Sequence, residues 1–201
     1  PEDPGHGANG QVGRALRKVL PDAEFLPHAD FDVTAPPERP WRQYRAIINC
    51  AAYTAVDQAE TDAATAWHVN ARGPAQLARI AAENNLTLVQ LSTDYVFDGV
   101  TDLPYREDDA IAPLNVYGAS KAAGEMAAST APRHYIVRSS WVVGEGRNFV
   151  DTMRDLAERD IRPQVVHDQR GRPTFATELA RGIAHLLHTR PEYGVYHLTG
   201  G

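Results

Sequence analysis

Short apolar runs alternate with longer Ala-rich stretches along most of this 201-residue chain. Residues 46–52 (AIINCAA), 86–97 (LTLVQLSTDYVF), 135–143 (YIVRSSWVV) and 195–198 read as strands, with shorter ones at 24–26 and 163–167. Helical patterns fill the intervals at 65–84, 116–129, 149–158 and 178–188. Strands that are apolar throughout are buried on both faces. Their alternation with helices predicts an α/β fold, a doubly wound parallel sheet of the Rossmann-like kind. VTAPPERP at 33–40 and the acid-rich stretch 99–113 read as loops, the second as a solvated surface loop. The segment before the Gly7–Gly13 glycine loop, PEDPGH, is not a strand. A doubly wound sheet needs a strand there, and its omission leaves a gap of two strand spacings, about 10 Å. The expectation is a chain short of residues at this end.

Composition narrows the function. Hydrophobic residues make up 43% and charged residues 23%, enough for a sizeable core. A net charge of −6 argues against a general nucleic-acid binder, which carries a basic face. The single cysteine, Cys50, rules out an intrachain disulfide and fits a reducing compartment. No apolar run is long enough for a membrane span or a signal peptide, so a cytoplasmic protein with no membrane partner is expected.

Gly7-Ala8-Asn9-Gly10-Gln11-Val12-Gly13 has the spacing G-x-x-G-x-x-G and runs into a helical stretch from Arg14 to Leu20. Glycines allow a tight turn and close approach of backbone to a pyrophosphate, and the helix start then offers free N–H groups. An acidic residue after the next strand, Asp30 or Asp32, is placed to meet an adenosine ribose or the adenine amine. Arg14 or Arg39 would suit a 2′-phosphate, so NADPH and NADH both stay open at this point. Asn49 to Thr54 ends a strand in small residues that would let a cofactor lie against the backbone.

Tyr117 and Lys121 form Y-x-x-x-K at a helix start. Four residues apart they share a face, so phenol and ammonium are expected to converge. A cation there would lower the phenol's pKa and fit it to give a proton to an alkoxide. Ser92 and Thr93 stand at the carboxyl end of an apolar strand, where doubly wound sheets bind ligands, and Thr93 is placed to bond a carbonyl oxygen. His185 and His188 lie three apart on a helix but have no evident third ligand, so no metal site is expected.

The stretches GANGQVG, INCAAYTAVDQAE, VNARGPAQLA, STDYVFDG, PLNVYGASKAAGE, VRSSWVVGEGRNF and HDQRGRPT occur in this order. In them the chain resembles the extended short-chain dehydrogenase/reductases, and within these the dTDP-4-dehydrorhamnose reductase branch. The resemblance implies NADPH- or NADH-dependent reduction of the C4 keto group of a nucleotide-linked sugar, dTDP-4-dehydro-L-rhamnose. It implies that Gly10, Gln11 and Val12 meet the pyrophosphate, with Gly7 and Gly13 shaping the turn. Asp32 and Val33 would lie near the adenine, and Ala52, Tyr53 and Thr54 would line the cofactor path. Thr93, Tyr117 and Lys121 would be catalytic, and Asp94 and Trp141 would face the sugar. Residues 1–145 would form the dinucleotide-binding domain, and 146–201 the end of the sheet with part of a small substrate region. Some members dimerise through a magnesium site using a glutamate after the glycine turn. Ala15 stands there, so a monomer is expected, with fusion to or association with the pathway epimerase left open. Tyr95 follows Thr-Asp where related 4,6-dehydratases are acidic, which argues against dehydration. A non-catalytic NADP-binding regulatory subunit and a nucleotide-sugar epimerase remain the alternatives.

Overall fold

The computed structural model describes residues 7–146, 148–165, 169 and 171–200. A 3-10 turn, Gly7–Asn9, leads into α1 (Gln11–Val19). Strand β1 (Ala46–Asn49) follows, then α2 (Val56–Ala59) and a long helical run. The run comprises α3 (Ala63–Trp67), a π turn (His68–Arg72) and α4 (Gly73–Asn84). Then come β2 (Thr87–Thr93), α5 (Val116–Ala128), β3 (His134–Ser139) and β4 (Val142–Val143). The last elements are α6 (Phe149–Glu158), β5 (Thr174–Phe175), α7 (Ala176–Thr189) and β6 (Gly194–His197).

The main sheet is wholly parallel, in the order β1-β2-β3-β6. Side chains of a strand alternate between faces. Val89, Tyr135 and Val137 turn to one side and pack on Leu16 of α1 and Leu179, Ile183 and Leu186 of α7. Leu88 and Ile136 turn to the other and pack on Leu77, Ile80 and Ala81 of α4. Helices thus cover both faces, which is the condition for an all-parallel sheet.

Three local expectations change. Residues 24–26 form no strand. Among the described residues no strand runs beside them to take up their N–H and C=O groups, and three residues do not hold an extended form alone. Phe25 lies instead beneath the Arg17 guanidinium, 4.5 Å from its ring centre. Residues 163–165 are likewise irregular and exposed, and 166–167 fall outside the described residues. The partner of β4 is β5, paired Val142 to Thr174 and Val143 to Phe175. The run 135–143 is broken at Trp141, whose φ of +43° is left-handed and stops a strand. Within the helical run expected at 65–84, Trp67 is exposed where the helix gives way to the π turn.

Ile183 is fully buried between α7 and the sheet. Ile183→Ala should lower the unfolding free energy by about 2–5 kcal/mol, read as a fall in the urea midpoint at unchanged slope.

Candidate active site

The carboxyl ends of β1, β2 and β3 and the starts of α1 and α5 meet along one edge of the sheet. At this edge α1 begins with no side-chain cap, its N-cap being Gly10, and with no acidic residue in its first turn. Its first N–H groups therefore remain available to an anion. Gly7 has φ +68°, a left-handed conformation that suits glycine. A Cβ on Gly13 would stand 2.4 Å from the Gly7 carbonyl oxygen and 2.6 Å from that of Ala8, so the helix can rest on the turn only as glycine. A Cβ on Gly7 would lie 3.9 Å from the Ala51 methyl, so the turn adjoins the end of β1. The Gln11 Oε1 atom is buried without a partner. An uncapped helix start resting on a glycine turn fits a pyrophosphate-bearing cofactor.

Beyond β1 the loop at Ala52, Tyr53 and Thr54 is held by Asn70. The Asn70 carboxamide accepts from the Tyr53 N–H at 2.9 Å and donates to the Tyr53 carbonyl at 3.0 Å. Its Nδ2 also donates to the Ser120 hydroxyl at 3.0 Å, and Ser120 donates to the Tyr117 carbonyl at 2.7 Å. One buried amide in the π turn thus joins the expected cofactor path to the helix of Tyr117. Sequence reasoning missed this residue. The available signal was a polar Asn inside an Ala-rich helical pattern, three residues before Gly73-Pro74.

Asn115 caps α5, accepting from the Gly118 N–H at 2.7 Å, and so places Tyr117 in the first turn. Tyr117 is buried, and its phenol stands near Thr93. Thr93 Oγ1 also donates to Asp94 at 3.0 Å and accepts from the Tyr95 N–H at 3.2 Å. The Tyr95 ring meets Tyr117 edge-on, with centroids 5.5 Å apart. Lys121 is buried as well, and its ammonium donates to the Leu91 carbonyl at 2.7 Å. The expectation that Lys121 lowers the phenol's pKa is therefore corrected. Burial pushes Tyr117 up to about 12, against the influence of the nearby Thr93 hydroxyl. Burial acts on Lys121 in the other direction, bringing it down to about 8. Asp94 is also raised by burial, against the bond from Thr93. Ser92 Oγ and Ser139 Oγ are buried and unpartnered close by, on paired strands.

The remaining expected residues divide. Trp141, two residues beyond β3, is 39% exposed and packs against Phe149 at 5.5 Å, so its ring is open to a ligand. Its left-handed backbone is the kind of local strain that persists where neighbours enforce it. Asp32 spends one carboxylate oxygen on its own turn, accepting from the Thr34 N–H and hydroxyl at 2.8 Å each. These bonds hold it below the usual carboxylate range. The Val33 side chain is core, packed against α4. Arg39 is engaged by Glu24 and Tyr44, so it is not a free partner for a 2′-phosphate.

Comparison with known proteins agrees with this geometry. Residues 5–201 match the model of the RmlD substrate binding domain. The dTDP-4-dehydrorhamnose reductase of Aggregatibacter actinomycetemcomitans is 42% identical over 215 residues, covering 96% of this chain and 71% of that protein. The chain belongs to the RmlD family, that of the dTDP-4-dehydrorhamnose reductases. The Salmonella typhimurium RmlD-family reductase is 45% identical over 161 residues, covering 77% of this chain but 54% of the relative. A crystal structure of the Bacillus anthracis dTDP-4-dehydrorhamnose reductase in complex with NADP superposes with a TM-score of 0.87 at 38% identity, over 97% of this chain and 73% of that one. This chain therefore spans roughly half to three-quarters of the relatives it matches.

Gly13→Ala should weaken NADPH binding at least about tenfold, or ~1.4 kcal/mol, measured by fluorescence titration. Affinity equal to the wild type would mean that the turn does not carry the pyrophosphate.

Proposed function

We propose that the chain reduces the C4 keto group of dTDP-4-dehydro-L-rhamnose to give dTDP-L-rhamnose, with NADPH as reductant. The observation that carries this reading is the buried Tyr117 phenol near Thr93, at the sheet edge beside an uncapped, glycine-formed helix start. NADPH, once bound, supplies the hydride. Gly10, Gln11 and Val12 would hold its pyrophosphate, and Ala52, Tyr53 and Thr54 would flank it. Thr93 orients the keto oxygen by hydrogen bonding. Tyr117 gives its proton to that oxygen as negative charge develops there. A phenol raised to about 12 carries its proton throughout the neutral range, as a donor in the reducing direction must. Lys121 sets a positive charge at the ribose side of the site. Asp94 and Trp141 would meet the sugar, with Trp141 as an exposed stacking face.

In this reading residues 1–145 bind the dinucleotide, and 146–201 complete the sheet and contribute part of the substrate region. The chain works in the cytoplasm as a monomer, alone or joined to the epimerase of the same pathway. Among the described residues no helix is long and apolar enough to cross a membrane.

With dTDP-4-dehydro-L-rhamnose as substrate, NADPH consumption is followed by loss of its nicotinamide absorbance. Tyr117→Phe should lower kcat by about 10²–10⁴-fold while leaving NADPH affinity nearly unchanged. Wild-type turnover in that variant would remove the phenol from the reaction. Cofactor binding with no turnover by the wild type would favour a regulatory subunit instead.

A further inference from the structure

A buried ion pair stands behind the site, and the reaction just proposed does not use it. Glu125 is 4% exposed and Arg138 6%. The Arg138 Nε donates to both Glu125 carboxylate oxygens, at 2.9 and 3.2 Å, and Nη2 donates to Oε2 at 2.8 Å. Nη1 donates to the Glu107 carbonyl at 3.2 Å and lies 3.4 Å from His197 Nε2. The guanidinium also stands over the Phe97 ring, 5.0 Å from its centre. Glu107 in turn accepts from the His197 N–H at 3.1 Å. A buried pair of this kind contributes little more stability than well-packed apolar residues would. Its location points to another role.

Glu125 follows Lys121 by four residues on α5, so the two share a face one turn apart. Lys121 is 4% exposed, and its hydrogen bond goes to a neutral acceptor, the Leu91 carbonyl. A buried ammonium without a counter-charge tends to lose its proton. We infer that Glu125, oriented by Arg138, is a positioning residue that keeps Lys121 a cation against the Leu91 carbonyl. The role of Arg138 follows from its geometry: its donated hydrogen bonds fix the Glu125 carboxylate, and with it the negative charge, one turn from Lys121.

The groups around Lys121 support this assignment. Cys50 faces it from the end of β1 and Leu91 from β2, while Asp94 acts on Tyr117. Arg138 of β3 reaches it through Glu125, and Tyr117 lies one turn earlier on α5. Burial brings Lys121 down to about 8, and the influence of Glu125 is the larger of the two that oppose it, ahead of Cys50.

The chain has two lysines, Lys18 and Lys121, which makes the test direct. Carbon-13 lysine NMR of the full chain gives two side-chain signals, assigned with Lys18→Arg. The Lys121 midpoint should lie at about 8 in the wild type. In Glu125→Gln it should lie about one pH unit lower. Glu125→Met combined with Arg138→Met removes both charges and leaves none buried alone, so it guards against misfolding of the single variant. It should move the midpoint the same way. An unmoved midpoint in either variant, with near-UV circular dichroism like the wild type, would overturn the inference. A kinetic arm rests on the reductase reading: the alkaline limb of kcat should shift with the NMR midpoint, and Glu125→Asp should restore part of it. The NMR arm needs no turnover, so a shifted midpoint in an inactive protein would sink the reductase reading and leave this one standing.

Discussion

The site depends on how closely the backbone of α5 approaches its neighbours. A Cβ on Gly118 would fall 2.2 Å from the Tyr95 carbonyl oxygen, and one on Gly124 would fall 2.1 Å from that of Asn70. Neither contact can be made by a residue with a side chain. Two glycines, one at each end of the Tyr117–Lys121 turn, let the helix lie directly on the loop after β2 and on the π turn before α4. The phenol reaches Thr93, and the ammonium reaches back to the β2 carbonyl, because of that depth. The same contact buries both groups, so the packing that assembles the pair also sets its protonation.

The π turn is part of the same arrangement. An extra residue per turn at His68–Arg72 swings Asn70 inward, where its amide bonds both the Tyr53 peptide and Ser120. Such insertions in helices recur at functional sites. Here the insertion links the loop that would carry the cofactor to the helix that carries the proton donor. A shift of either segment would then be felt by the other.

The main strands and helices were legible because burial on both faces leaves an apolar signature at strand length. β2 and α5 fall within a few residues of their expected bounds. Residues 24–26 misled because an extended apolar triplet says nothing about whether a neighbour exists to pair with it. The break at Trp141 was hidden because φ is not written in the residue type, and a left-handed Trp is rare. Thr93, Tyr117 and Lys121 could be read as a group from spacing and from their place at a strand end. Their pairing could not be read so. The i, i+4 rule brings two side chains to one face and is silent on how deep that face lies. The stretch 99–113 read as a solvated loop and is exposed along most of its length, but the contacts of Glu107 with Arg138 and His197 join segments far apart in sequence and could not be read from it.

Depth sets opposite demands on the two ionisable groups. Low-dielectric surroundings favour the neutral form of each, which for a tyrosine is the protonated phenol and for a lysine is the deprotonated amine. Reduction requires a donor that still holds its proton, so burial serves Tyr117 directly. The same burial works against a lysine that must stay charged. A fold that sinks both groups into one interface has to offset the second effect without disturbing the first. A carboxylate one turn past the lysine, on the side away from the tyrosine in sequence, does this by proximity. It adds charge where the ammonium is, and the phenol meets instead a neutral hydroxyl, Thr93. Arg138 then belongs to the site although it touches neither group, because its donated hydrogen bonds fix the carboxylate one turn from the lysine.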